Sequence, residues 1–126
     1  CRRRFTPEDL AEGRVSLRIG ELSHLPLRDH EADFACINLV LHHLSDPAEG
    51  LREIRRIMAV GGRFFVADFQ RHADETMRSR YGDRWLGFDE QQLGLDLAAA
   101  GFAVLHCKHM QVNRNMTMLL LSAEAC

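Results

Sequence analysis

The sequence predicts an α/β fold, an open sheet that is mainly parallel and closes with an antiparallel carboxyl-terminal hairpin. Three observations carry this expectation. "FACINLVL" (34–41) is a nearly continuous apolar run, the pattern of a central parallel strand covered on both faces. It is followed by "SDPAEGLREIRRIMAVGG", with Leu51, Ile54 and Met58 at helical spacing, and then by the strand-like "RFFVADF" (63–69); this order is that of a right-handed βαβ unit. Finally, "AVLHCKH" (103–109) and "MTMLLLSA" (116–123) are separated by the polar "MQVNRN" and suit a hairpin at one sheet edge.

The elements follow in order. "TPEDLAEG" has Thr6 as N-cap, Pro7 at the first helical position, Asp9 three residues after the cap and Gly13 as a stop, which predicts one short helix. "VSLRI" (15–19) alternates apolar and polar and reads as a strand; the polar "GELSHLPLRDHEAD" after it reads as a loop with room for one helical turn. Asp46 is the N-cap and Pro47 the first residue of the helix that follows 34–41, and Gly61-Gly62 forms the turn into 63–69. "HADETMRSRYGDRW" reads as a loosely ended helix. "FDEQQLGLDLAAAGF" reads as a second helix, capped by Asp89 and stopped by Gly101.

At 126 residues the chain is expected to form a single domain over 1–126. Its 46% hydrophobic and 27% charged residues are those of a globular protein, and its net charge of -2, with arginines spread among acids, argues against nucleic acid or an anionic membrane as partner. A small-molecule partner fits better. No apolar stretch is long enough to span a bilayer and the chain opens on Cys-Arg-Arg-Arg, so a cytoplasmic location is expected. Cys1, Cys36, Cys107 and Cys126 are scattered without C-x-x-C spacing and read as reduced thiols, with Cys36 a small core residue of its strand.

Ligands of open α/β sheets sit at the carboxyl ends of the strands, which directs attention to Glu21, to Asn38 through His43 and to Asp68 through His72. From about Arg14 onward, through "GELSHLPLRDHEADFACINLVLHHLSDPAEGLREIRRIMAVGGRFFVADF" and "RWLGFDEQQLGLDLAAAGF", the chain resembles the carboxyl-terminal two thirds of a class I S-adenosylmethionine-dependent methyltransferase, a partial Rossmann-like domain. It is similar to those found alone or fused to winged-helix regulators of the arsenic-repressor type. The resemblance implies S-adenosylmethionine as cofactor and a small molecule as methyl acceptor. It places Glu21 at the acidic position that accepts a hydrogen bond from the adenine amino group, Leu22 against the adenine, and Asn38 and Leu39 beside the methionine part.

His42 and His43 then lie near the methyl-transfer channel, as a general base or substrate contact; the equal alternative is one histidine capping the strand end and the other solvated. Asp68 could position an acceptor amine or hydroxyl, or cap a helix. No third metal ligand has usable spacing to the histidine pair, so no metal is expected. Arg52, Arg55 and Arg56 read as a solvated helix face, and Met116 and Met118 as core.

The sequence contains neither the family's glycine-rich G-x-G-x-G loop nor its acidic ribose clamp, so a carboxyl-terminal fragment with weak cofactor binding is expected. The strands that would lie between 15–19 and 34–40 are also absent. Two consequences remain open: the bared edge of 34–40 pairs with another chain in a homodimer, or 15–19 and 34–40 pair directly in a smaller sheet. The alternative function is a non-catalytic dimerisation or regulatory module derived from a methyltransferase.

Overall fold

The computed structural model describes residues 6–126. Cys1 and the arginines after it lie outside the described residues. A mixed sheet of four strands is covered on one face by two helices. In chain order the elements are α1 (Pro7–Ala11), β1 (Ala32–Asn38), a 3-10 turn (Leu41–His43), α2 (Pro47–Ile57), β2 (Met58–Phe69), α3 (Thr76–Tyr81), α4 (Glu90–Ala100), β3 (Phe102–Asn113) and β4 (Met116–Ala125). The strand order is β1-β2-β4-β3, with β1 parallel to β2 and the two later pairings antiparallel. The expected βαβ unit and carboxyl-terminal hairpin are both present.

The caps expected from the sequence form. Thr6 and Asp9 make a reciprocal capping box, Asp46 accepts from the Glu49 amide, and Asp89 accepts from the amides of Gln91 and Gln92. Gly101 ends α4 in the left-handed region at φ 99°. One core results. Leu51, Ile54 and Ile57 of α2 and Leu93 and Leu97 of α4 pack on the inward row of β2, Phe64 and Val66, and on that of β4, Leu119, Leu121, Ala123 and Ala125. The period-2 alternation of a strand puts each of these rows on a single face.

Several expectations are corrected. Residues 15–19 form no strand: Ile19 is 98% exposed, and no described strand runs beside them to complete a ladder. Hence they do not pair with β1, and the smaller-sheet alternative fails. The run 34–41 is not a central strand covered on both faces. β1 is an edge strand that ends at Asn38; Ala35 and Ile37 pack on the core, while Phe34 and Cys36 are exposed on the uncovered face. The Cys36 core assignment falls with it. Gly61-Gly62 is a bulge within β2, where Ala32 pairs with Met58 but Phe34 with Arg63. Only Thr76–Tyr81 of the expected 72–85 helix is helical, and Met116 and Met118 are half-buried.

The arginines of α2 divide. Arg52 is exposed beside Asp46, as expected, but Arg55 and Arg56 are not a solvated face. Arg55 donates to the main-chain carbonyls of Met58, Gly101 and Cys126, tying the ends of α2, α4 and β4 together. Arg56 donates to the carbonyls of Leu25 and Leu27, to Asp29 and to both oxygens of Glu53. Glu53, buried, also accepts from the Leu25 amide at 2.7 Å. A loop without ladder partners still has polar main-chain groups to satisfy, and this pair satisfies them. Periodicity alone reads such residues as outward because it does not register the carbonyls of a neighbouring loop.

Two hydrogen bonds from Arg56 and one from the Leu25 amide hold the Glu53 carboxyl down to about 2, from an ordinary 4.5. A depressed carboxylate stabilises the folded chain above pH 4.5, and that contribution is lost as the pH falls towards 2. Thermal melts of Glu53→Gln are therefore expected to show a loss of roughly 2 kcal/mol at pH 7, below the range for a fully buried pair because Arg56 is partly open. Between pH 4.5 and 2 the variant should lose less stability than the parent chain.

Candidate active site at the carboxyl ends of the parallel strands

β1 and β2 run parallel, so their carboxyl ends meet on one side of the sheet. The inward row of β2 runs Phe64, Val66, Asp68, and the last position therefore carries a carboxylate that is only 1% exposed. Its acceptors are satisfied from across the strand end. Asp68 Oδ1 lies 2.6 Å from His42 Nδ1 and also accepts from the Phe69 amide at 2.8 Å, and Oδ2 accepts from the His42 amide at 3.3 Å.

The chain reaches this geometry through a left-handed residue. Leu39, at φ 56°, donates its amide to Ala67 and turns the chain out of β1 into the 3-10 turn that buries Leu41 and His42. Such a conformation is strained for leucine and persists only because its surroundings hold it. His43, next in line, has its side chain 44% exposed, and the two rings stand 4.1 Å apart.

A residue that the sequence analysis passed over completes the cluster. Asp83 is 4% exposed; its Oδ1 lies 3.5 Å from His42 Nε2 and 3.6 Å from His43 Nδ1, and neither carboxylate oxygen has a hydrogen-bond partner. The amides of Arg84 and Trp85 both donate to the His42 carbonyl, at 2.9 and 3.1 Å, and the Trp85 indole donates to Leu44. Gly87 lets the same segment lie on the end of β2: a Cβ there would sit 2.3 Å from the Gln70 carbonyl oxygen. The only local signal for Asp83 was its place after Gly82, a helix-stop glycine ahead of an aromatic residue. Leu39, His42, His43, Phe69, Met77, Tyr81 and Asp83 line a cavity of about 230 Å³.

The structure thus brings His42, His43 and Asp68 together. Asn38 ends β1 and lines an open hollow of about 480 Å³ on the uncovered sheet face, with Phe65 and Lys108. Leu39, the next residue, lines the histidine cavity instead. Glu21 is exposed in a turn closed by the His24 amide, and Leu22 packs towards Leu44 and Gly50 at the start of α2. Among the described residues no G-x-G-x-G loop accompanies Asn38, Leu39 or Glu21.

Comparison with known proteins agrees with this architecture. The methyltransferase domain family matches residues 1–66. Over 70 residues the chain is 33% identical to the ubiquinone/menaquinone biosynthesis C-methyltransferase UbiE of Caulobacter vibrioides, a match that takes in 56% of this chain and 28% of that protein. Among solved structures, a S-adenosylmethionine-dependent methyltransferase from Mesorhizobium loti superposes with a TM-score of 0.73 at 19% identity, over 94% of this chain and 76% of the other. The cyclase SpnF superposes at 0.74 with 20% identity, over 94% and 60%. The chain spans well under a third of the curated relatives it matches. At these identities the superpositions establish the fold, while the family match covers more than half of the chain: the chain belongs to the methyltransferase domain family, with the class I fold of the S-adenosylmethionine-dependent enzymes.

Proposed function

We propose that this chain is the acceptor-side part of a S-adenosylmethionine-dependent methyltransferase acting on a small molecule. The observation that carries the reading is the cluster of His42, His43, Asp68 and Asp83 beside a solvent-open cavity at the carboxyl ends of the parallel strands. The cavity has room for a small ring or a short chain, and Phe69, Met77 and Tyr81 supply apolar contact. The cofactor, when bound, supplies an activated methyl group on its sulfonium. What remains for the protein is to orient the acceptor and to remove its proton.

The residues divide that work by exposure. Asp68 holds the His42 ring through Nδ1 and so fixes its Nε2 towards Asp83. His43 is the half-exposed member and is the one able to meet an acceptor hydroxyl or amine. Asn38 and Leu39 border the methionine part of the cofactor, Glu21 is the adenine contact and Leu22 packs against the adenine.

A second reading, a non-catalytic association module, has its own support. Among the described residues β1 has a free edge, and on the sheet face without helices Phe34 and Phe65, 60% and 42% exposed, stack with centroids 5.3 Å apart.

Isothermal titration with S-adenosylhomocysteine decides between the readings. Weak binding by the folded chain is expected, since no glycine-rich loop is present, and Asn38→Ala should weaken it further, about fivefold to tenfold, through the loss of one hydrogen bond; a folded chain that takes up no ligand at millimolar concentration rules out cofactor use by this chain alone. With an acceptor found by screening, His43→Ala is expected to lower kcat by about 10²-fold while leaving cofactor affinity within threefold, the usual size of a lost general base. Light scattering is expected to return a dimer mass that Phe34→Lys converts to a monomer if the edge of β1 pairs with a second copy.

A further inference from the structure

Asp68 and Asp83 approach His42 from opposite sides, and the two contacts differ in kind. At 2.6 Å, Asp68 Oδ1 accepts the Nδ1 proton. The ring's other nitrogen, Nε2, faces Asp83 Oδ1 at 3.5 Å. His43 Nδ1 meets the same oxygen at 3.6 Å. These separations are too long for hydrogen bonds, and both Asp83 oxygens are buried without a donor. Among the described residues the ion-pair neighbours of Asp83 are these two imidazoles, with no lysine or arginine. A buried carboxylate in that position is strongly unfavourable unless a positive charge sits against it.

The spacing suits a metal ion in that role. Ligands held 2.0–2.2 Å from a tetrahedral Zn²⁺ lie about 3.3–3.6 Å from one another. The distances of Asp83 Oδ1 from the two histidine nitrogens, 3.5 and 3.6 Å, fall close to that edge length. The geometry points to a divalent transition-metal site formed by His42 Nε2, His43 Nδ1 and the Asp83 carboxylate.

Each surrounding feature fits this assignment. The Asp68–His42 contact is the carboxylate–imidazole arrangement that orients a metal-bound histidine and raises its basicity. Two imidazoles and one carboxylate suit zinc, iron, cobalt or nickel rather than calcium or magnesium. Three protein ligands leave one tetrahedral position open, and the cavity lined by Phe69, Met77 and Tyr81 adjoins it. A hydroxyl or water in that position would lose its proton more readily, so acceptors with a ligating oxygen are the substrate class selected. That last step rests on the methyltransferase reading, and with His43 Nδ1 committed to a metal it takes over the base role assigned to His43 in the metal-free site; the metal site itself does not rest on that reading.

A second group, Glu90, Cys107 and His109, is a less suitable site and serves as the control. Its Glu90 and His109 side chains are nearly half-exposed and bind each other at 2.5 Å, and burial together with Glu90 pushes the Cys107 thiol up to about 11, away from the thiolate a metal needs.

The test uses the chain stripped of metal with a chelator, with no cofactor added, and titrated with Co²⁺ as a visible probe. The expected result is binding of one equivalent with the intense visible bands of four- or five-coordinate cobalt, reversed by Zn²⁺ and without a near-ultraviolet thiolate band. Asp83→Asn and His43→Ala should each weaken binding more than 100-fold, Asp68→Asn by 10- to 100-fold, and Cys107→Ser not at all. Asp83→Asn removes the unpaired charge, so its metal-free form should melt no lower than the parent, which separates lost ligation from lost folding. The proposal is overturned if the folded metal-free chain takes up no Co²⁺ below millimolar concentration. It is overturned equally if Asp83→Asn binds as tightly as the parent, or if a thiolate band places the metal at Cys107.

Discussion

The site depends on where the inward row of β2 stops. Phe64 and Val66 lie beneath the helices for the ordinary reason that apolar area leaves water, and the alternation that buries them buries Asp68 as well. A carboxylate at the end of an apolar row must find donors or lose several kcal/mol. It finds them in the main-chain and ring nitrogens of His42, and this draws the residues after β1 back over the end of β2. The left-handed Leu39 and the 3-10 turn follow from that demand.

The same argument extends outward. With His42 drawn in, its carbonyl becomes the acceptor for Arg84 and Trp85, and the segment after α3 settles on the strand ends with Asp83 facing the imidazoles. At the opposite side of α2, Glu53 and Arg56 do for the loop 25–29 what Asp68 does for the histidines, supplying polar partners to main chain that no strand accompanies. Two buried acids thus organise the irregular parts of the chain, one at each side of the helix layer.

The uncovered face of the sheet contrasts with this. Among the described residues, Phe34, Cys36 and Phe65 lie on it without helices over them, whereas the inward rows of β2 and β4 are closed. The relatives and solved structures that share the fold extend beyond the part matched here, by about a quarter to two fifths of the structures' length. Among the described residues the sheet is covered by helices on one face, and the histidine cluster lies at the carboxyl ends of its two parallel strands.

Local pattern decided much of this protein. Thr6, Asp46, Asp89 and Gly101 could be recognised as helix ends from sequence because a cap is a contact between residues two to four apart, and the βαβ unit and hairpin because apolar period distinguishes helix from strand. His42, His43 and Asp68 were legible as candidates because strand ends can be located before the sheet is known. Strand pairing was not, since alternation in "VSLRI" specifies a shape without supplying a neighbour, and a strand without a ladder is not formed. Nor could the sequence reveal that Cys36 would be exposed, which depends on what covers a face, or that Arg55 and Arg56 would turn to carbonyls distant along the chain. Asp83 lies 40 and 41 residues from the histidines it faces. Only the folding of the segment after α3 onto the ends of β1 and β2 turned an acid in a polar stretch into the third member of the cluster.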